Sequence, residues 1–456
     1  MNNSCRTLTI SILFLGMAAV LRAADWPQLQ NGPQRQGYSA ENLSLPLSNT
    51  WAKGFRTEHL FPQSQPIIAG GKVFIGTEHG TFYAFNAASG GNPLWTYPAG
   101  GAILHTAGVE GTKVFFAAKD SCVYALDTST GALAWKFDAE IDGVITDRSG
   151  FSTAVLLAEN KVFVASRRGI YYALNQSDGS LAWYKEIGAP VLMSSAYESG
   201  RIFFGAMDMR CYALDSADGD ILWTSGQLAG AAFKDYWPVC VGGKVLLRPM
   251  QAYGEDLPGI AMGSYWAVGP LSGAAITAQQ NRITYLQANP ERRNMFCLDQ
   301  ATGAETVIMH WTQCTMNGAT TPPCVDGDGK LIVPVAGKDN WRGCWGRLDL
   351  GLGYVTEFCC EDPLSNDGTG NKDENLCVSA AGRLVFVMHT QEANAQFTGS
   401  YNLDTHQWER ISPYNAESFW WSNTQGGGTC PASFSNGKIY HTSQNTLNCR
   451  TATVIP

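Results

Sequence analysis

The sequence has little with which to cross a membrane and little with which to hold a polyanion. Its one uninterrupted apolar run, Leu8 to Leu21, is too short to span a bilayer, and no later run is long enough. No cluster of Lys or Arg is present, which disfavours nucleic acid and anionic membrane surfaces as partners, since both select cationic patches. A Gly-x-Ser-x-Gly elbow, a His-Glu-x-x-His helix, a phosphate loop and a Cys-x-x-Cys-His haem site are all missing, and so is any Cys/His spacing typical of zinc. The histidines (His59, His79, His105, His310, His389, His406 and His441) are scattered, with no spacing that builds a site.

The apolar run follows a polar stretch with Arg6 and precedes the small residues Ala23 and Ala24. That layout predicts a secretory signal peptide over 1–24, cut after Ala23 or Ala24, although Arg22 beside the cut is unusual. The expectation is an exported protein, periplasmic or secreted, whose mature part is 25–456. Losing Arg6 and Arg22 takes Lys plus Arg from 31 to 29 against 39 acids, so the mature net charge is near −10. Cys5 lies in the leader, and no cysteine sits at the cut to carry a lipid anchor. Of 13 cysteines, those outside the leader form an even set, which in an exported protein suggests disulfides. One pairing follows from local geometry. A hairpin centred on Leu350–Gly353 would set Cys344 opposite Cys359 and Cys360.

What the chain has in abundance is repetition. Tyr83-Ala84-Phe85-Asn86 leads through Gly90 to Trp95. Tyr124-Ala125-Leu126-Asp127 leads through Gly131 to Trp135, Tyr172-Ala173-Leu174-Asn175 through Gly179 to Trp183, and Tyr212-Ala213-Leu214-Asp215 through Gly219 to Trp223. Weaker copies begin at Phe296, at Leu348 and at Tyr401, the last read as Tyr401-Asn402-Leu403-Asp404. A basic residue and a short apolar run precede each copy, from Lys72-Val73-Phe74-Ile75 to Lys438-Ile439-Tyr440. Eight such units, spaced about 40–50 residues apart where clear, fit propeller blades. The apolar runs suit strands covered on both faces, and the Asp/Asn…Gly segments suit tight hairpins. The closing tryptophan offers a wide surface to the next blade.

The last unit has room for three strands, while Thr50-Trp51-Ala52-Lys53 looks like a tryptophan strand without its own unit. The predicted fold is therefore all-β: an eight-bladed β-propeller of four-stranded antiparallel blades, the last blade closed by an N-terminal strand.

The pattern Tyr-Ala-Leu-Asp-x-x-x-Gly-x-x-x-Trp resembles the pyrroloquinoline-quinone-like (PQQ-like) propeller repeat of exported bacterial proteins. The resemblance is strong over 71–226 and weaker to the end. Asp25-Trp26-Pro27-Gln28, continuing to Gly32-Pro33-Gln34-Arg35-Gln36-Gly37, resembles the N-terminal signature of a secreted branch. Two kinds of function are implied. Quinoprotein alcohol dehydrogenases of this family hold PQQ and calcium in the axial channel and often carry adjacent cysteines beside the cofactor. Cys359-Cys360 and the acidic loop with Asp367, Asn371 and Asp373 are the candidates here, but the cysteine pair comes late in the ring and the chain is short for that group. The other reading of the acidic loop is a solvated connection. The family also holds a non-catalytic scaffold of the outer-membrane barrel-assembly machinery, a lipoprotein whose anchor cysteine this chain lacks.

Outside the packing motif, Lys234-Asp235-Tyr236-Trp237 rhymes with Lys338-Asp339-Asn340-Trp341, and Trp420-Trp421 form a third aromatic cluster. Exposed in blade connections, these could stack on sugars or grip a peptide. The alternative is that the loops bury the rings themselves. Cys240, Cys324, Cys377 and Cys430 each precede a basic strand start, which predicts innermost strands, where they are disulfides or buried thiols rather than a ring for a soft metal. The reading with most support is a non-catalytic, monomeric binding or scaffold module for a protein or glycan at the propeller mouth, needing no cofactor. The rival is a quinone-dependent alcohol or sugar dehydrogenase.

Overall fold

The computed structural model describes residues 25–141, 146–250, 269–309, 322–336, 343–358, 377–388, 399–410, 430–443 and 445–452. Eight sheets follow one another along the chain, each with its strands in the order A, B, C, D from the axis outward. Blade 1 is Ile67–Ala69, Lys72–Gly76, Thr81–Asn86 and Gly90–Pro98. Blades 2 to 4 repeat it from Gly108, Leu156 and Ala196, and blade 5 from Val239. Blade 6 is Cys324–Val325, Leu331–Ala336, Gly343–Asp349 and Tyr354–Phe358, and blade 7 is Cys377–Ala381, Leu384–Met388, Gly399–Asn402 and Gln407–Arg410. Blade 8 is Ser433–Ser435, Lys438–Ser443 and Thr446–Ala452, and its fourth strand is Leu47–Gly54 from the other end of the chain. Trp51 lies opposite Cys449 in that antiparallel pair, so the ring closes as its sequence predicts.

Two blades exceed the expected four strands. Tyr38–Ser39 adds a parallel inner strand to blade 7, with Tyr38 beside Ala380. Gly269–Pro270 adds an outer strand to blade 6, opposite Phe358 and Glu357. It belongs to an insertion between strands B and C of blade 5, which also carries the helix Ala274–Ala288. That helix buries Ala275, Gln279, Arg282 and Leu286 on one face. The Gln279 amide accepts the Val355 N–H at 2.8 Å and donates to the Val355 carbonyl at 2.9 Å, doing for the blade 6 edge what another strand would do.

The repeat's residues explain themselves at the seams between blades. In the turn of blade 2, Asp127 accepts the Ser129 and Thr130 N–H groups at 2.9 and 2.8 Å, and Gly131 takes φ +73°. The tryptophan of the preceding blade lies against that glycine and donates its indole N–H into the same turn. Trp51 bonds the Ala87 carbonyl at 3.1 Å, Trp95 that of Thr128 at 3.1 Å and Trp135 that of Gln176 at 3.0 Å; Trp183 reaches Ser216 at 3.1 Å and Trp223 reaches Gln300 at 2.9 Å. A Cβ on Gly90, Gly131, Gly179, Gly219 or Gly303 would lie 2.4–2.7 Å from a carbon of the facing ring. Ring stacks join the same blades: Phe82 on Phe116 at 4.3 Å, and Tyr171 on Phe204 at 4.9 Å.

Among the described residues this staple is not repeated at the three seams that follow blade 5. The C strand of blade 6, Gly343–Asp349, pairs with Tyr354–Phe358 across the predicted turn, with Gly346 opposite Phe358. Cys359 and Cys360 lie outside the described residues, as does the acidic loop with Asp367, Asn371 and Asp373. The Tyr401 copy is offset by two from its predicted alignment. Asn402, not Asp404, caps the turn by accepting the Asp404 and Thr405 N–H groups at 2.9 and 3.2 Å.

The seams yield a stability prediction. Trp135→Ala is expected to cost about 3–5 kcal/mol, from lost burial and an orphaned carbonyl in the next blade. Gly179→Ala is expected to cost at least about 1 kcal/mol, because the turn needs positive φ and the Trp135 ring occupies the space. Chemical denaturation of each variant against the parent checks both; losses within about 0.5 kcal/mol would contradict the staple.

Candidate functional site

Eight A strands surround the axis, and each would present an unpaired inner edge there. The residues Trp26–Glu41 satisfy those edges in turn. Trp26 forms a two-bond bridge with Ile68 of blade 1 at 2.7 and 3.0 Å, and the Pro27 carbonyl accepts Val109 N–H of blade 2 at 2.7 Å. The Gln28 amide pairs with both backbone groups of Leu157 in blade 3, at 3.2 and 3.1 Å. Pro33 accepts from Tyr197 at 2.8 Å, Gln34 from Cys240 at 2.9 Å and Gln36 from Val325 at 2.7 Å, which reaches blades 4, 5 and 6. Gly37 and Ser39 accept from Ala380 and Gly382 of blade 7 at 2.9 and 2.8 Å. The Glu41 carboxylate accepts Asn436 and Gly437 N–H of blade 8 at 2.8 and 3.0 Å. The segment thus winds once around the axis, meeting the blades in chain order near the ends of their A strands.

Its side chains fill the channel on that side. Trp26, Leu29, Gln30 and Arg35 are buried. The Arg35 guanidinium donates to the Ser195 carbonyl at 2.9 Å, Leu29 at 3.0 Å, Val155 at 3.0 Å and the Gln28 side chain at 3.2 Å. Burial pushes its pKa down to about 9, so it carries its charge at neutral pH. Next to it is a second buried polar layer. Gln65 accepts from the Gln30 N–H at 2.8 Å and donates to Pro431 at 3.0 Å. His105 Nδ1 accepts the Thr106 N–H at 2.9 Å, and its Nε2 lies 3.2 Å from Ser194 Oγ. Burial first, and the Arg35 charge second, hold the His105 pKa down to about 3, so the ring is neutral.

Of the expected ligand residues, Trp237 is 1 % exposed and packs in the cluster that holds Leu29, so the burying alternative describes it and its ring offers no face to a sugar. The reason is local. Ser194 N–H bonds the Tyr236 carbonyl at 2.8 Å and Asp235 N–H bonds Leu192 at 3.0 Å, which fastens the loop to the entry of blade 4. Lys234 and Asp235 stay partly exposed and pair with each other at 3.5 Å. Lys338, Asp339, Trp341, Trp420 and Trp421 lie outside the described residues. The strands flanking those segments, and those flanking 310–321 and 359–376, open on the face opposite the plug, because D-to-A and B-to-C connections share one face of an antiparallel blade.

Cys240 and Cys324 do sit on innermost strands, Cys377 on the A strand that Tyr38–Ser39 lines in blade 7, and Cys430 just precedes an A strand. The cysteines with described side chains (122, 211, 240, 297, 324, 430 and 449) are free and buried, which corrects the general expectation of disulfides here and leaves the buried-thiol alternative for Cys240, Cys324 and Cys430. They pack as small apolar groups, and burial pushes Cys122 and Cys297 up to about 12 and Cys449 up to about 11. Among the described residues, no three His, Cys, Asp or Glu side chains converge as a metal site.

The fold and site define an eight-bladed, axially plugged propeller. Comparison with known proteins gives its likenesses. A model described as outer membrane protein assembly factor BamB matches residues 48–155 and 146–248, from the closing strand to the second strand of blade 5. Quinoprotein ethanol dehydrogenase of Pseudomonas aeruginosa is 31% identical over 108 residues, 22% of this chain but only 17% of the length of that relative. Among solved structures, BamB from Moraxella catarrhalis has TM-score 0.57 at 15% identity, covering 90% of this chain and 99% of its own. Quinohemoprotein alcohol dehydrogenase from Comamonas testosteroni has TM-score 0.58 at 12% identity, with 95% and 82% covered. The fold is a PQQ-like β-propeller, and its repeats match the family model over 48–248.

Two predictions follow from the buried groups. The folded state holds His105 neutral while the unfolded chain binds a proton below about pH 6.5, so stability falls as pH drops from there toward 3. By pH 5 the loss from this residue is about 2 kcal/mol, and a His105→Gln variant should show a correspondingly flatter urea midpoint against pH. The seven described thiols should escape iodoacetamide at pH 8 in the native protein and react in denaturant, as read by mass spectrometry; native labelling of Cys240 or Cys324 would contradict their burial.

Proposed function

We propose that this protein is an exported, non-catalytic binding or scaffold module, whose protein or glycan ligand is held at the mouth opposite the plug. The observation that carries this reading is the winding of Trp26–Glu41 around the axis, bonded to all eight blades. The channel on that side is a structural spine, not a slot for a planar cofactor. Among the described residues, no helix is long and apolar enough to cross a membrane. Export rests on the signal-like 1–24. A protein ligand accords with the BamB likeness in fold and with the family model.

The rival, a PQQ- and calcium-dependent alcohol or sugar dehydrogenase, gains support from the quinoprotein relatives. The described residues do not fit those groups: they assemble no metal-ligand cluster, and the repeat's tryptophans from Trp51 to Trp223 lie between blades. Ligand contact then falls to Lys234 and Asp235 and to the segments with Lys338, Asp339, Trp341, Trp420 and Trp421.

Reconstitution with PQQ and calcium, followed by dye-linked assay on an alcohol and sugar panel, is expected to give neither retained quinone nor turnover. Glycan arrays and crosslinking to envelope proteins should return a ligand, whose binding weakens at least about tenfold in a Trp341→Ala, Trp420→Ala double variant. Turnover with bound quinone would replace this reading by the rival, and binding indifferent to the double variant would remove the aromatic segments from it.

A further inference from the structure

Among the described residues, the carboxylate clasps that join blades 2 to 5 are missing between blades 1 and 2. At the seam of blades 2 and 3, the Gln176 amide donates to Glu110 at 2.8 Å, and Lys113 Nζ reaches the Gln176 and Ser177 carbonyls at 3.0 and 2.7 Å. Between blades 3 and 4, Glu159 accepts the Ser216 and Tyr197 hydroxyls at 2.7 and 2.6 Å. Between blades 4 and 5, Gln300 donates to Glu198 at 2.5 Å. The repeat gives the equivalent positions in blades 1 and 2. Ala69 lies opposite Lys72 as Glu110 lies opposite Lys113 and Glu198 opposite Arg201. Thr128 takes the place of Gln176 and Gln300, since all three carbonyls receive the tryptophan of the preceding blade. Alanine and threonine are too short to meet, and a cleft of about 420 Å³ remains, its wall including Asp25, Ala69, Gly70, Gly71, Lys72 and Thr128. It lies on the face of the winding segment, which the A-to-B and C-to-D turns share.

The groups in this cleft suit a carboxylate. Gly70-Gly71 form the A-to-B turn of blade 1 with φ +54° and +73°, and Asn436-Gly437 form the same turn in blade 8 with φ +56° and +68°. Successive N–H groups in such a turn make a nest for an anion. In blade 8 both are used, for the Glu41 carboxylate accepts Asn436 N–H at 2.8 Å and Gly437 N–H at 3.0 Å. In blade 1 the Gly70 N–H donates to Asp25 Oδ1 at 3.1 Å, while the Gly71 N–H has no partner among the described residues. Half-buried Lys72 follows, and its Nζ has no ion pair or hydrogen bond among the described residues. Asp127, whose charge it senses, is turned to the Ser129 and Thr130 N–H groups.

We propose that this cleft binds a small carboxylate ligand, an amino acid or a sugar acid. The ligand's carboxylate sits on the Gly71 N–H and the Lys72 ammonium, and its own ammonium or hydroxyl donates to the Asp25 carboxylate. A carboxylate has more acceptor sites than the one that Gly70 uses. The charge-assisted bond to lysine supplies strength, the backbone amide supplies orientation, and the volume falls within the range of small-molecule sites. The site is on the opposite face from the mouth, so it stands or falls apart from the ligand proposed there.

Titration calorimetry and saturation-transfer NMR on the full-length protein test this, with L-glutamate and D-glucuronate as probes and acetate as the bare carboxylate. At least one probe should bind, and more tightly than acetate; glutamate alone assigns an amino acid, glucuronate alone a sugar acid. Lys72→Ala should weaken binding at least about tenfold at an unchanged urea midpoint. Ala69→Glu combined with Thr128→Gln installs the clasp of the neighbouring seams, so it should abolish binding without lowering the midpoint. The proposal is overturned if neither probe binds, or if Lys72→Ala binds as the parent does.

Discussion

The fold depends on a tryptophan lying across a seam onto a glycine that has room for nothing else. A propeller blade has two apolar faces, and a flat sheet-on-sheet contact leaves its angle around the axis undetermined. The indole fixes it. Its ring covers the turn of the next blade, its N–H finds a carbonyl that the turn leaves free, and the positive-φ glycine makes the close approach possible. Five consecutive seams use this device, from the closing strand at Trp51 to Trp223. The family model matches over nearly that same stretch, because that is where the repeat is regular.

Past blade 5 the ring is held by other means. Blade 6 borrows an edge strand and a helix from the insertion in blade 5, blade 7 takes an inner strand from the N-terminal segment, and their shared seam is charged. The long connections all leave the same face of this region, opposite the winding segment. One side of the disc is thus committed to holding the ring together, and the strands of this region open toward the other.

Strands, blade count and ring closure were legible because short continuous apolar runs and a fixed Tyr…Asp…Gly…Trp spacing have one economical solution. The departures share a cause: they depend on partners distant in sequence. The stretch Ala274–Ala288 carries no strong apolar stripe, since the helix docks through Gln279 onto a strand edge. The role of Pro27, Pro33 and Gln34 could not be read, because it lies in their backbone carbonyls. Trp237 resembled an exposed ligand residue by its neighbours Lys234 and Asp235, yet the axial segment adds the Leu29 surface that helps to cover it. At Tyr401 the offset of two arose because Asn402 caps like an aspartate and His406 adopts the backbone of a glycine.

The winding of Trp26–Glu41 also orders events in time. These residues leave the ribosome before any blade does, yet the acceptors they carry match donors as far along as Gly437. Those bonds cannot all form until blade 8 exists, so assembly cannot be completed domain-style from the front. Once seated, the same arrangement makes release hard: freeing the segment means breaking bonds to all eight sheets together, a barrier that favours a long native lifetime over rapid turnover.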